Sequence, residues 1–510
     1  MKLHNIFIIV LIIGLLARIF SLIVLPEEAY SDALYHLLLA KQIVIQQAIS
    51  FTGFIPGIPF TDTPLYHLLV SIDFVISNAS FQMPFIRIIP IALIGLQLLL
   101  SFLILKKFFK ENFIVGLSLI AVFPWLIRYG AVNYLDTLAS VLVLFCVYLL
   151  MKFNETKKQI WIVVFFSALV GMILSSLVIL FAIPVFVVAV LFLVNKHFPI
   201  KSINSTKLIH IFVLLMVILS FVSVAKGFIV CHKFSCAVSE NDPGINPTFN
   251  NPNVFTKEFL TNSYLSFFDF PTEESFERVS FLQSIPFGII IPVFVLITLP
   301  IFLLIIFGAV KFLKEKDLIR IIIVLLVLSV IAIAFYITLV DNRAIELFYV
   351  RFLIAIMPLL GILFAKGFLE LKQAHFRKIA AISLLLFAFY SLAFTGVSAA
   401  YYNSIEQKHQ GLYIFAKTLP ENVKIYSKIK SRAIEFNAAR NAGEIIEYDK
   451  DFYSQNNDYI YSKLKENSFT HLVEECYRNP WKQKTINELI DSNKIIKVFE
   501  DVCVKVYEIK

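Results

Sequence analysis

Residues 5–25 read NIFIIVLIIGLLARIFSLIVL and are followed at once by PEEAYSDALYH, residues 26–36. The first stretch has the length and the apolar character that a helix needs to cross a bilayer, about 20 residues. The second changes abruptly to carboxylate, hydroxyl and imidazole side chains. This junction predicts a membrane-spanning helix that ends at a loop equipped for chemistry.

The composition extends this interpretation to the whole chain. Of 510 residues, 59% are hydrophobic and 16% are charged, against about 25% charged in soluble proteins, and the mean hydropathy is +0.81. The sequence contains none of the patterns GxGxxG, GxxxxGK[ST] or HExxH. Soluble dehydrogenases, P-loop NTPases, kinases and zinc peptidases of these types are therefore excluded.

Reading the chain for further apolar runs predicts a mostly α, polytopic membrane protein with about eleven spans. The predicted spans are 5–25, 87–105, 113–127, 134–150, 160–174, 177–194, 208–224, 286–310, 319–340, 352–365 and 379–400.

The net charge of +9 indicates an orientation once it is divided along the chain. Residues 401–510 contain 17 Lys and Arg and 16 Asp and Glu, so nearly all of the excess lies in the apolar part. There the basic residues collect in alternate loops, for example at 106–110, 152–158, 196–207, 311–320 and 366–378. Since cytoplasmic loops are rich in Lys and Arg, we expect a cytoplasmic N-terminus in a multi-pass cell membrane protein. An odd number of spans then places the C-terminal part outside.

Two regions follow from this arrangement: a transmembrane domain, 1–400, and a soluble extracytoplasmic α/β domain, 401–510. The transmembrane domain has two long outer loops, 26–86 and 230–285. Amphipathic stretches at 33–48 and 65–76 in the first loop predict helices that lie in the membrane interface. In the C-terminal part, the apolar runs 423–426, 469–473 and 495–507 predict strands that alternate with polar helices.

Four of the five cysteines lie on the predicted outer side. Cys231 and Cys236 are in the second outer loop, and Cys476 and Cys503 are in predicted strands of the C-terminal domain. An oxidising exterior favours a disulfide within each pair. Four reduced thiols are the alternative.

The first outer loop contains two candidate sites for chemistry. Asp32 and His36 are four residues apart, hence on one face of a helix at the outer surface, where a carboxylate can take a proton from a hydroxyl group. Asp62 and His67 form a second acidic and histidine pair. The alternatives are structural: a solvated loop for Asp32 and a helix N-cap for Asp62.

Charged residues at other predicted outer ends complete the candidates. Arg128 and Asp136 bracket the turn between the third and fourth spans, with a structural pair between them as the alternative. Arg343 and Arg351 border the tenth span, where an arginine can bind a lipid phosphate or extend its side chain to the interface.

The stretches SDALYHLLLAKQIV (31–44), TDTPLYHLL (61–69) and VRFLIAIMP (350–358) resemble the GT-C class of polyprenyl-phosphate-dependent glycosyltransferases. Within that class the likeness is to the branch of protein O-mannosyltransferases and aminoarabinose transferases. The chain departs from many relatives in two places. It has Thr63-Pro64 where they have a double proline, and it has Ser175-Ser176 at the end of the fifth predicted span, where they have a lysine. With only Trp125, Trp161 and Trp481, it has no Trp-Trp-Asp motif, which disfavours an oligosaccharyltransferase substrate.

The resemblance implies a dolichyl- or undecaprenyl-phosphate sugar donor and an inverting transfer. Asp32 would be the general base, His36 its neighbour and Arg351 a phosphate contact. The remaining polar candidates near the donor are Tyr35, His67, Arg128, Asp136 and Arg343.

The resemblance also leaves questions about partners open. The acceptor could be a protein, a glycan or a lipid, in contact with membrane lipid, and nucleic acid is not expected. The one candidate cofactor is a divalent cation such as Mg²⁺ or Mn²⁺, which Asp32 and Asp136 could bind. A polytopic transporter or lipid flippase is the alternative function, and a scaffold with a partner-binding outer domain is a third.

Overall fold

A computed structural model describes residues 3–26, 31–46, 64–76, 87–173, 182–197, 256–270, 287–315, 317–340, 350–427, 431–443, 455–475 and 483–510. Five of the described helical stretches are long and apolar enough to cross a membrane: Leu3–Val24, Ile88–Val122, Leu135–Thr156, Ile290–Lys314 and Ala374–Thr418. Shorter apolar helices include Ile160–Met172, Ala182–Val194 and Leu318–Ala332. The predicted span at 208–224 lies outside the described residues.

Most of the described helices coincide in position with a predicted span or a predicted interfacial segment. In chain order they are α1 Leu3–Val24, α2 Ser31–Gln46, α3 Pro64–Ile76, α4 Ile88–Phe109, α5 Phe113–Val122, α6 Pro124–Ala131, α7 Leu135–Thr156, α8 Ile160–Ile173, α9 Ala182–His197, α10 Lys257–Phe267, α11 Phe287–Lys314, α12 Leu318–Val340, α13 Met357–Glu370 and α14 Ala374–Thr418. Short 3₁₀ turns, Lys110–Asn112 and Val350–Ala355, precede α5 and α13.

The third predicted span, 113–127, is two helices rather than one. Phe123 has extended backbone angles (φ −67°, ψ 118°) and separates α5 from α6. A residue that precedes proline is disfavoured in the helical region, and Pro124 has no N–H to donate to the carbonyl oxygen of Ile120. The sequence therefore contains a local reason for the break.

Arg18 satisfies the carbonyl groups that this break leaves without helical partners. It is buried in α1, and its guanidinium donates to the oxygens of Ile120 (2.8 Å) and Ala121 (3.2 Å). It also lies 3.3 Å from the side-chain oxygen of Gln97, whose amide donates to Ser140. Because unpaired carbonyls are costly away from water, Arg18 makes the break in the α5–α6 segment tolerable.

The C-terminal region contains a five-stranded sheet. Its strands are β1 Lys424–Tyr426, β2 Asn441–Gly443, β3 His471–Glu475, β4 Ile495–Asp501 and β5 Val504–Ile509, in the order β2-β1-β3-β5-β4. The first three strands pair in parallel, and β5 pairs antiparallel with β3 and β4. The single apolar run predicted at 495–507 is thus a hairpin of two strands. Helices α15 Ser431–Ala438, α16 Asn457–Glu466 and α17 Gln483–Asp491 complete the α/β region.

No break in secondary structure marks the predicted domain boundary at 400/401, because α14 runs through it to Thr418. This helix packs on α1 along the membrane part and then on β4 and β5. Its buried His409 lies 3.5 Å from the carboxylate of Glu475, which also accepts a hydrogen bond from Ser427 (3.0 Å). The C-terminal region also reaches the segment predicted to be the first outer loop, since α15 packs against α2.

Candidate functional site

Helices α2 and α3 pack together and bring two histidines into direct contact. His36 and His67 are 3% and 4% exposed, and Nδ1 of His36 lies 2.9 Å from Nε2 of His67. At that separation one nitrogen donates a proton to the other, so at least one ring is a neutral acceptor. Burial lowers the pKa of His67 to about 4, which keeps its ring neutral in ordinary buffers. Both residues belong to the predicted site, but their contact with each other was not predicted.

The histidine pair contacts the turn between α6 and α7. The ring of His36 meets those of Tyr66 and Tyr134 edge-on, with centroids 5.7 Å and 5.8 Å away. Tyr134 directly precedes α7, whose first turn contains Asp136, 3% exposed. The pair and Asp136 thus belong to the same end of the helical bundle.

Asp32 lies on α2 one helical turn before His36, and Tyr35 lies next to His36 on the same helix. The side chains of Asp32 and Tyr35 are outside the described part of the chain. Ala33, the residue after Asp32, is fully buried in a cluster with Ala131, Val132 and Tyr134. The backbone of Asp32 is therefore held at the α6–α7 turn.

Arg128 of α6 forms a buried ion pair with Asp269, which follows α10. Arg128 is 8% exposed, and its guanidinium lies 4.8 Å from the ring centroid of Phe394 and 5.6 Å from that of Trp125. Burial raises the pKa of Asp269 to about 7, and the nearby Arg128 offsets part of that rise. The structural alternative from the sequence paired Arg128 with Asp136, whereas the ion pair that the structure gives Arg128 is with Asp269.

Two further hydrogen bonds anchor the α10 segment to the bundle. The indole N–H of Trp125 donates to the carbonyl oxygen of Ser266 (2.9 Å), and the hydroxyl of Tyr390 donates to that of Asp269 (2.8 Å). Asp269 has a positive φ of 59°, which is uncommon outside glycine and is tolerated best by Asn and Asp. Our sequence reasoning missed this residue. The available signal was a single carboxylate within the aromatic run Phe267-Phe268-Asp269-Phe270.

A continuous series of ring contacts joins the histidine pair to the arginine. The centroids of Tyr134 and Tyr129 are 4.8 Å apart, and those of Tyr129 and Trp125 are 5.1 Å apart. We call this assembly of His36, His67, Tyr134, Trp125 and Arg128 the outer site, after the orientation predicted from the sequence. It combines imidazoles, a guanidinium and aromatic faces, groups that suit the binding of a sugar and a phosphate.

Other predicted site residues are only partly covered by the described residues. Arg351 lies in the 3₁₀ turn Val350–Ala355 before α13. This turn packs on α6 and α7, but the side chain of Arg351 is not described. Asp62, Arg343, Cys231, Cys236 and Cys476 lie outside the described residues. Cys503 is in a disulfide bond, and its pairing with Cys476 stays a prediction. The register supports that pairing, because Glu475, which precedes Cys476, faces Val504.

Among the described side chains, no three His, Cys, Asp or Glu residues are grouped so that they could hold a metal ion. Asp136 is the described member of the predicted cation pair, and Asp32 is placed only by its backbone. The binding of a divalent cation by Asp32 and Asp136 stays a prediction.

Comparison with solved structures identifies the class of fold. No protein-family model and no curated protein sequence matches the chain. Solved GT-C glycosyltransferases do match its structure, which confirms the predicted fold class.

Two of these structures are similar to nearly the whole chain. ArnT from Cupriavidus metallidurans bound to undecaprenyl phosphate matches with a TM-score of 0.54 and 11% identity, over 98% of this chain and 97% of its own. The oligosaccharyltransferase AglB from Archaeoglobus fulgidus, in complex with an inhibitory peptide and a dolichol-phosphate, matches with a TM-score of 0.56 and 14% identity. That match covers 93% of this chain and 69% of AglB.

Proposed function

We propose that this chain is an integral-membrane glycosyltransferase that transfers a sugar from a polyprenyl-phosphate donor to an acceptor on the extracytoplasmic face. The observation that carries the proposal is the likeness in fold, over almost the full length of both chains, to ArnT bound to undecaprenyl phosphate. The likeness to AglB with a dolichol-phosphate supports the same type of donor. The outer site supports it independently, because its polar groups collect at one end of the bundle.

The proposed reaction is a single displacement at the anomeric carbon. The acceptor hydroxyl loses its proton to the carboxylate of Asp32 while its oxygen forms the new bond to the sugar. The bond between that carbon and the phosphate oxygen breaks, and the polyprenyl phosphate leaves with the electron pair. Attack from the face opposite to the leaving group gives inversion.

The buried histidines have a supporting role in this scheme. His36 is one helical turn from Asp32 on α2, and its hydrogen bond to His67 (2.9 Å) fixes the orientation of its ring. A ring held in this way can orient a neighbouring carboxylate without carrying a charge. We assign the acid–base step to Asp32 and the orientation of α2 against α3 to the pair of histidines.

Cationic groups stabilise the departing phosphate in the proposal. Arg351 is the predicted contact, and its 3₁₀ turn packs beside α6 and α7. Charge that develops on a leaving phosphate is stabilised best by a guanidinium already in place. A divalent cation would supply the same stabilisation, and an AglB structure in complex with Zn and sulfate is also similar in fold. The steps above use only the protein's own groups.

The replacement of Asp32 by Asn tests the assignment. Membranes that contain the Asp32→Asn variant should lose roughly 10²- to 10⁴-fold in the rate of sugar transfer from polyprenyl-phosphate donors, the usual contribution of a general base. The matched control is Asp458→Asn, because the Asp458 side chain is 90% exposed in the C-terminal domain. Transfer of radiolabelled sugar and elution of the purified protein would both be measured.

The outcomes separate the proposal from its alternatives. Normal transfer by a folded Asp32→Asn protein would remove Asp32 as the base. If the purified wild-type protein moved labelled lipid between leaflets and transferred no sugar from any polyprenyl-phosphate donor, the flippase alternative would replace the glycosyltransferase.

A further inference from the structure

A basic cavity lies at the opposite end of the bundle from the outer site, between the C-terminal ends of α4 and α7. Its volume is about 240 Å³, and its polar lining includes Lys106, Lys107, Lys152 and Glu155. Pockets that enclose drug-sized ligands measure roughly 300–1,000 Å³, so this one suits a smaller group. Three lysines against one glutamate give the cavity a net positive charge.

The charges in the cavity are only partly neutralised by the protein. Lys107 pairs with Glu155 at 2.7 Å. The ammonium groups of Lys106 and Lys152 lie over aromatic rings, 5.4 Å from the centroid of Phe102 and 5.6 Å from that of Tyr148. Within the described part of the chain, neither Lys106 nor Lys152 pairs with a carboxylate.

Another lysine cluster at the same end of the bundle differs in this respect. Phe312 of α11 contacts Phe108 of α4 (5.9 Å between centroids), which places the end of α11 near the end of α4. There Lys366 pairs with both Glu315 and Glu370, and Arg320 pairs with Glu315. Positive residues are expected at this face in general. Lys106 and Lys152 differ from Lys366 and Arg320 in that, among the described residues, no carboxylate pairs with them.

An apolar path connects the cavity to the lipid-facing surface of α4. Leu103, one helical turn before Lys106 and Lys107, lines the cavity together with Met151. Leu99 and Leu96 continue the same side of α4 and are 51% and 46% exposed. An acyl chain can lie along this row while a charged group occupies the cavity.

We propose that this cavity binds the phosphate-bearing headgroup of an anionic phospholipid, with its phosphate facing Lys106 and Lys152 and its acyl chains along Leu103, Leu99 and Leu96. Basic pockets between membrane helices on the cytoplasmic side are known to suit such headgroups. The apolar row favours a lipid over a free phosphate, because a soluble anion would gain nothing from it. The site is separate from the proposed transferase chemistry and does not depend on it.

The test measures lipid binding to the purified full-length protein by native mass spectrometry. Phosphatidylglycerol is titrated against phosphatidylcholine, and the wild-type protein should prefer the anionic lipid at low salt and less so at high salt. The double substitution Lys106→Gln with Lys152→Gln should weaken phosphatidylglycerol binding by about 10- to 30-fold, since each basic residue contributes to the attraction. The control is Lys158→Gln with Lys314→Gln, which removes the same charge from exposed positions outside the cavity.

The wild-type protein alone can overturn the proposal if the Gln variants do not fold. Equal binding of phosphatidylglycerol and phosphatidylcholine would overturn it, as would equal affinities in the cavity and control variants. Displacement of the bound lipid by millimolar inorganic phosphate would show a free-anion site instead. The charge-conserving Lys106→Arg with Lys152→Arg should retain the preference for phosphatidylglycerol.

Discussion

At the scale of single residues, the hydrogen bond between His36 and His67 joins α2 to α3. The two residues are 31 positions apart in the chain, and their nitrogens are 2.9 Å apart. The pattern of a histidine after a tyrosine occurs twice in the sequence, at 35–36 and 66–67. Its repetition indicated function, and the structure adds a physical reason for both copies to be histidine.

The lowered pKa of His67 predicts a pH dependence of stability. The unfolded chain protonates this ring near pH 6.5 and the folded chain only near pH 4, so the unfolded state binds the additional proton between these values. The contribution of His67 to stability should therefore be complete above about pH 6.5. The free energy of unfolding should fall by about 2 kcal/mol on going from pH 7 to pH 5. Denaturant unfolding in detergent micelles would measure this loss.

The same measurement on variants identifies the group responsible. His67→Phe should lose that part of the pH dependence, whereas His375→Phe, at an exposed position on α14, should retain it. An unchanged pH profile in His67→Phe would show that another group causes the loss.

The pair of Arg128 and Asp269 predicts a coupling between two distant parts of the chain. Asp269→Asn leaves the buried guanidinium without this carboxylate, whereas the double variant Arg128→Met with Asp269→Asn removes both charges. Since a single uncompensated buried charge costs more than the loss of both, the double variant should be the more stable of the two. A double-mutant cycle of unfolding free energies should give a coupling of roughly 1–3 kcal/mol.

The exposed pair of Lys463 and Glu466 supplies the comparison, with the glutamate side chain 60% exposed. A cycle on that pair should give a much smaller coupling. Strictly additive effects at Arg128 and Asp269 would contradict the importance of the buried pair.

Sequence reasoning found several residues of the outer site but not their contacts. His36, His67 and Arg128 were identifiable because polar groups next to apolar runs stand out. Asp269 was not, because its role depends on Arg128, 141 positions away, and a short-range pattern contains no information on that contact. Arg18 was missed for a similar reason, since its partners are the backbone carbonyls of Ile120 and Ala121 and the side chain of Gln97, all about 80 or more positions away in the chain.

At the scale of helices, proline has different effects at different positions. Pro124 begins α6 after a break, whereas Pro292 and Pro300 lie within α11, which continues through both. In a membrane, neighbouring helices and polar side chains can satisfy the groups that proline frees. The helix positions were predictable from hydropathy, but the fate of each proline depends on its neighbours.

Close packing of α11 against α13 predicts that a larger residue at Gly308 destabilises the protein. A Cβ atom there would overlap the backbone oxygen of Leu363, and one at Gly367 would overlap that of Leu304. Small residues allow membrane helices to approach closely. Gly308→Ala should therefore destabilise the protein by about 1–3 kcal/mol, the usual cost of overpacking, as measured by unfolding in micelles.

Gly95 of α4 supplies the matched control for this substitution. A Cβ atom there would meet no heavy atom within 4 Å. Gly95→Ala should leave stability unchanged or raise it by up to about 1 kcal/mol, because alanine favours the helix. Equal effects at the two glycines would show that the contact between α11 and α13 can adjust.

At the scale of the whole molecule, the fold class and the presence of a small C-terminal sheet were predictable, and the connection between them was not. Apolar runs of about 20 residues report spans directly. The continuation of α14 to Thr418 was hidden because its sequence becomes polar after Ala400. Packing on β4 and β5 stabilises that polar part as helix.

The predicted orientation has a direct test by thiol labelling in intact cells. A cysteine at Ser492, exposed after α17, should react with a membrane-impermeant reagent from outside. A cysteine at Lys158, between α7 and α8, should react only after the membrane is opened, since basic loops are retained inside. Labelling of the Lys158 position in intact cells would reverse the proposed orientation and place the outer site in the cytoplasm.

The length of α14 sets both the height of the C-terminal sheet above the membrane and its bearing, by which we mean its rotation about the axis of α14. At about 1.5 Å per residue, its 45 residues form a rod roughly 67 Å long, more than twice the thickness of the hydrocarbon core. Its far end stacks Phe415 on Phe499 of β4, 4.6 Å between centroids. Because a helix turns by about 100° per residue, one inserted residue near Ser404 would swing the sheet around the rod and carry α15 away from α2. Seven inserted residues would nearly restore the bearing and lift the sheet by about 10 Å, so the bearing could be varied separately from the height.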